Sequence, residues 1–281
     1  MISEANLRQA IRLTQEKFRA GVGQAGILDV AFIGNTSDVY PWEPASIVDI
    51  DLCLFVDQMD TSLGEWLLAT GNEIGTDLGR LGIDFDLKVL RGPYKPGSWR
   101  LTTPMAIAHV ALFTEASYAR ASPALRWAWR KYRCLVEPDR LMAYCGEAPS
   151  WLDLREMVER KLTRIKTERI QMTEWKLPTF RKVVLEFDTR HPVFAEYCLA
   201  TPLICARIHA RILGKEEADR LPNREFVIWY RREMLDVVAL EDLVLQKERA
   251  RQHGYEGLLP TVKDLAVRYF EEFLQSVHAH H

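Results

Sequence analysis

Asp49 and Asp51 stand two residues apart in the run "VDIDLCLFVD" (48–57), an otherwise apolar, strand-forming stretch. Alternate residues of a strand share a face, which sets the two carboxylates roughly 7 Å apart. At an effective dielectric of about 20 they repel by about 2–3 kcal/mol. No Lys or Arg lies within the run to offset this, so divalent cations are the economical counter-charge. Hard oxygen donors suit Mg²⁺ or Mn²⁺ rather than zinc. Two such ions about 4 Å apart clamp the attacking and leaving oxygens of an in-line phosphoryl displacement.

Two further pieces belong with this pair. Gly34 closes the buried run "ILDVAFIG" (27–34) and is followed by Asn35, Thr36 and Ser37. Glycine permits close approach, so backbone N–H groups around it suit the non-reacting phosphates. Downstream, "IDFDLKVL" (83–90) alternates strictly, with Ile83, Phe85, Leu87 and Val89 on one face and Asp84, Asp86 and Lys88 on the other. Asp86 or Asp84 is the third carboxylate. Each piece also has a plain structural reading: a solvated strand entrance for the acid pair, turn residues for Asn35 and Ser37, the polar face of a strand for Asp84 and Asp86.

The elements that must position these residues follow from the periodicities. Ser3 caps a first helix whose Leu7, Ala10, Ile11, Thr14 and Phe18 recur at the helical period. "GVGQAG" ends it, and the strand 27–34 leads through a loop with Pro41 and Pro44 into the acid-bearing strand. Ser62 with Glu65 forms a capping-box signature for the next helix, whose glycines weaken it. The strands 83–90 and "AIAHVALFT" (106–114) follow. From about residue 122 the pattern turns helical, in "SPALRWAWRKYRCL", "SWLDLREMVERKLTRIKTERIQ", "VFAEYCLATPLICARIHARIL", "REFVIWYRREMLDVVALEDLVLQKERARQ" and a closing helix from about Thr261 to Val277.

Glycine, a small polar residue, thirteen residues between Asn35 and Asp49, Asp-hydrophobic-Asp, and an acid on a later strand together resemble the DNA polymerase β-like nucleotidyltransferase superfamily. The resemblance covers about residues 27–92. It implies an α+β fold: a nucleotidyltransferase-type mixed sheet with flanking helices over residues 1–120, then an all-helical domain over 121–281 that contributes to substrate binding. It further implies that Gly34, Asn35 and Ser37 touch the triphosphate, and that Asp49 and Asp51 bind two Mg²⁺ ions. Asp86 is the favoured third metal ligand, with Asp84 in reserve. Asn35 stands where the family has a serine or second glycine, and Ser37 is the candidate for that serine's role. The activity implied is transfer of a nucleoside monophosphate from an NTP such as ATP to an acceptor hydroxyl. Antibiotic-modifying members point to a small acceptor of aminoglycoside type. Toxin-like members act on RNA or protein, and a non-catalytic nucleotide-binding member is the third possibility. In the helical half, Lys161 is a candidate for the triphosphate, and Glu168, Glu174, Glu186 and Glu196 are candidates for an extra base.

Composition sets the outer bounds. The 281 residues allow one large domain or two modest ones. A net charge of −2 argues against coating of nucleic acid through bulk charge, leaving a local stripe at Arg126, Arg130 and Arg133 that reads first as a solvated face and, behind that, equally as a nucleic-acid contact or a contact to a small substrate or triphosphate. No apolar run reaches the eighteen or so residues of a membrane helix. The opening "MISEANLRQAIRLTQEKF" lacks the order of a signal peptide. Five scattered cysteines without CxxC fit buried thiols in a reducing compartment, so the expected location is cytoplasmic. His109, His191 and His209 lack ligand spacing and read as structural, with His209 on a partly exposed helix.

Overall fold

The computed structural model of the protein describes residues 3–34, 37, 47–91, 104–255 and 257–279. Among these lie a six-stranded mixed sheet and ten α-helices, in keeping with the α+β expectation. Described residues within 3–91, 104–146 and 172–185 form one compact unit; those within 147–171 and 186–279 form a second.

In the first unit, α1 (Glu4–Ala20) is capped by Ser3, whose Oγ accepts the Asn6 N–H at 3.2 Å. Strand β1 (Ile27–Ile33) runs antiparallel to β2 (Ile47–Val56). Helix α2 (Thr61–Gly79) then carries the chain to β3 (Asp84–Arg91), and β4 (Met105–Phe113) inserts between β2 and β3, parallel to both. The sheet order is β1-β2-β4-β3-β5-β6, with β5 (Ile170–Lys176) and β6 (Arg181–Phe187) returning from the second half of the chain.

Central parallel strands are covered on both faces and therefore read as near-continuous apolar runs. One face of β2 and β4 packs Val48, Ile50, Leu52, Leu54, Ala106, Ala108, Val110 and Leu112 against α1 and α2. The other packs Cys53, Phe55, Ala111 and Phe113 with Tyr118 of α3 (Glu115–Ala119) and with Tyr132, Cys134 and Leu141. Asp49 and Asp51 alternate with the first set, so they belong to this second face, at the opening end of β2. Asp60, rather than the Ser62–Glu65 box, caps α2, its Oδ1 accepting the Leu63 N–H at 3.0 Å. A Cβ at Gly64 would collide with the Pro178 carbonyl oxygen. This glycine costs helix propensity but admits the β5–β6 turn onto the helix.

A fully buried acid, Asp29, stands inside β1. Its carboxylate accepts the N–H groups of Val30, Val136 and Glu137, each at 2.9 Å, and meets Arg140 Nε at 3.3 Å. Three N–H donors and a guanidinium satisfy the buried charge. They also fasten the segment before α5 (Arg140–Ala143) to the edge of the sheet.

The second unit is built on α6 (Trp151–Lys166), α7 (Pro192–Ile212), α8 (Asn223–Glu233), α9 (Val238–His253) and α10 (Leu259–Ala279), with α10 touching α6, α7 and α9. The second half is not all-helical, since it supplies β5 and β6. Ile170, Met172 and Glu174 of β5 point inward at period two, and the charge on Glu174 hid that signal. The basic-aromatic helix is shorter than its pattern, α4 (Pro123–Trp129) stopping before Arg130. The long helix expected over 224–252 is two helices. Arg231 bridges the break, with Nη2 at 2.8 Å from Asp236 and Nη1 paired to Glu241. His209 is buried rather than partly exposed. All five cysteines are buried thiols. Among the described residues no helix is long and apolar enough to cross a membrane.

Candidate active site

The pairing of β2, β4 and β3 lays two rows of side chains across one face of the sheet. Asp51, His109 and Lys88 share one row; Asp49, Ile107 and Asp86 share the next. His109 Nδ1 lies 3.1 Å from Asp51 Oδ1. An ionised carboxylate only accepts, so the imidazole donates from Nδ1. Lys88 Nζ lies 3.1 Å from Asp86 Oδ2 and 4.0 Å from Oε1 of the buried Glu174, whose other oxygen meets Lys176 at 2.6 Å. Asp84 is exposed and falls one row beyond, opposite Met105.

Gly34 closes onto the acid pair. Its φ is +71°, and a Cβ built there would lie 2.8 Å from Asp51 Oδ2. The backbone therefore favours glycine, and a side chain here would push the Asp51 carboxylate aside. Ser37 shapes the same turn, its Oγ and N–H donating to the Gly34 carbonyl at 2.7 and 3.2 Å. Asn35 lies outside the described residues. Lys161 belongs to α6 in the second unit, its ammonium 5.5 Å from the centre of the Tyr197 ring. The structure thus brings Gly34, Ser37, Asp49 and Asp51 together. Asp86 is on the same face but across the intervening strand β4.

Comparison of the chain with protein-family models, with curated proteins and with solved structures returns no match. What the site can do rests on its own donors.

Among the described residues, no group of three or more His, Cys, Asp or Glu side chains is arranged to hold a metal ion by itself. Mg²⁺, however, is commonly held by one or two carboxylates completed by substrate phosphates and water. Asp49 and Asp51 are half-buried carboxylates on one face, and they fit that donor pattern. Asp86 fits it less well, because two strand spacings put it about 10 Å from Asp49 and Lys88 already holds its carboxylate.

Sequence reasoning missed two members of this face. His109 is 58 residues from Asp51 in the chain, and only the parallel register of β2 and β4 joins them. Lys88 was visible on the acid face of β3, yet its reach to Asp86 and Glu174 depends on β5 lying alongside. Glu174 itself is a member of the first unit and not a base contributed by helices. Of the other candidate bases, Glu168 pairs with Lys263, Glu186 accepts Gln171 Nε2 at 2.5 Å, and buried Glu196 pairs with Lys247 at 3.3 Å and with the Tyr255 hydroxyl.

Proposed function

We propose that the protein transfers a nucleoside monophosphate from a nucleoside triphosphate, with ATP as first choice, to a hydroxyl of a small acceptor, with a divalent cation at Asp49 and Asp51. One observation carries this reading. The turn after β1 closes so tightly on Asp51 that any side chain at position 34 would have to displace its carboxylate. A phosphate-binding turn and a metal-binding acid pair, separate in sequence, are thereby neighbours in space.

The acceptor oxygen attacks the α-phosphorus in line. A new P–O bond forms, the bridging bond to the β-phosphate breaks, and pyrophosphate leaves. Mg²⁺ bound at the pair supplies charge neutralisation for the triphosphate and its leaving oxygens. Asp49 and Asp51 hold that charge in place, and His109 fixes the direction in which Asp51 presents its oxygens. Asp86, in the row of Asp49, receives the acceptor hydroxyl's proton. Positioning accounts for most of the rate.

The arginine stripe supports a small acceptor over RNA. Arg126 donates to the carbonyl oxygens of Ala121, at 3.1 Å, and Tyr144, while Arg133 pairs with Asp139. Arg126 is thereby engaged within the protein, and the exposed Arg133 is neutralised by its carboxylate partner. The test is incubation with NTPs labelled at the α-phosphate, Mg²⁺ and a panel of aminoglycosides, tRNA and cell extract. Label should move to a small hydroxylated compound with release of pyrophosphate. Label on tRNA changes the acceptor class. No transfer to any acceptor, together with no NTP binding by calorimetry, defeats the reading.

A further inference from the structure

We infer that the acid face takes one divalent cation rather than two, and that Lys88 provides a fixed positive charge on the Asp86 side, where a second ion would otherwise sit. The inference rests on the nucleotidyl-transfer reading above and concerns how that site is charged. A pair of ions needs a carboxylate network that encloses both, with the metals about 4 Å apart. Here the network is divided. Asp49 and Asp51 sit on β2, Asp86 sits on β3, and β4 runs between them carrying Ile107 and His109 in the corresponding rows. Ile107 has no donor to bridge the Asp49–Asp86 gap.

The Asp86 side already has its cation. Lys88 Nζ contacts Asp86 Oδ2 at 3.1 Å and approaches Glu174 Oε1 at 4.0 Å. Its side chain is only 22% exposed, and that of Glu174 only 7%. Glu174 is anchored in turn by Lys176 at 2.6 Å and by its place opposite Leu90 in the β3–β5 ladder. Lys88 is therefore held between two carboxylates from different strands, unlike a surface pair whose long side chains are loose. A divalent ion bound through Asp86 would have to displace this ammonium or sit beside it against like-charge repulsion. The ammonium, unlike a hydrated metal ion, is part of the fold and present before any nucleotide arrives. Asp86 is then a group that faces the acceptor, and metal affinity belongs to the β2 pair.

The decisive measurement is the number of Mn²⁺ ions held by the full chain with α,β-methylene-ATP, a nucleotide that resists transfer. Equilibrium dialysis counts the ions, and electron paramagnetic resonance detects the exchange coupling of two ions about 4 Å apart. One ion per bound nucleotide, with an uncoupled spectrum, is expected. Asp86→Asn, which preserves shape and a contact to Lys88, should leave Mn²⁺ affinity within about twofold. Asp51→Asn should weaken it by at least about tenfold, the scale on which metal sites respond to altered ligands. Lys88→Gln should let a second ion bind. Two coupled ions in the wild type, or loss of Mn²⁺ on Asp86→Asn, overturns the one-ion arrangement and leaves the transfer reading standing. Absence of both Mn²⁺ and nucleotide binding in the wild type overturns the two together.

Discussion

The acid face of the first unit and the histidine core of the second treat polar groups in opposite ways. On the acid face, Asp51 keeps a side chain 38% exposed and hydrogen-bonded to His109, with Gly34 against it. In the second unit, His209 is enclosed by the rings of Trp151, Tyr230 and Phe273, with Nδ1 2.6 Å from the Tyr230 hydroxyl. Burial pushes its imidazole down to about 4, so it stays neutral at ordinary pH. One region keeps its charges beside solvent and in excess. The other removes solvent and with it the charge. Exposure on one side is what separates a polar group available for chemistry from one that only completes a core.

The sharpest way to break this contrast is to remove the acids. Asp49→Ala with Asp51→Ala should lower transfer by roughly 10³-fold or more, the scale of losing preorganised charge stabilisation. Circular dichroism should stay unchanged and the unfolding midpoint should move little, because relief of the pair's repulsion offsets the hydrogen bond that His109 loses. Lost activity accompanied by lost folding would mean that the acids are structural, like His209.

Acidification probes the other region. The unfolded chain protonates His209 below about 6.5, whereas the folded chain declines the proton until about 4. Unfolded molecules therefore bind more protons in that window, and stability falls as pH drops through it. The contribution is fully present above about 6.5 and shrinks by about 3 kcal/mol at pH 4. Urea unfolding of the wild type and of His209→Gln, followed at a series of pH values, isolates it. Parallel curves for the two proteins would show that His209 is not held neutral.

The smallest effect is at the turn. Gly34→Ala places a residue at φ +71° and a methyl 2.8 Å from Asp51 Oδ2. The backbone cost is about 1–2 kcal/mol, and displacement of the Asp51 carboxylate should weaken NTP binding by about tenfold, read by calorimetry. Unchanged affinity would uncouple the turn from the acid pair.

Much of the sheet was legible. The strict alternation of 83–90 and the apolar runs of 27–34, 48–57 and 106–114 mark strands at nearly their observed limits, because burial on one or both faces imposes a local pattern. Strand β5 was not legible, since Glu174 occupies an inward position and, beyond its strand neighbour Lys176, meets Lys88 from the distant strand β3. Nor was the break between α8 and α9, which has no Gly or Pro and is held by Arg231.

At the site, the sequence alone determined that Asp49 and Asp51 share a face, because the pleat repeats every two residues whatever the surroundings. It also marked Gly34 as the end of a strand. Only the tertiary structure decided that His109 would orient Asp51, that Lys88 would hold Asp86, and that β4 would stand between the acids. Strand order and register are set by packing between segments far apart in the chain, where each strand's own alternation is satisfied by more than one neighbour.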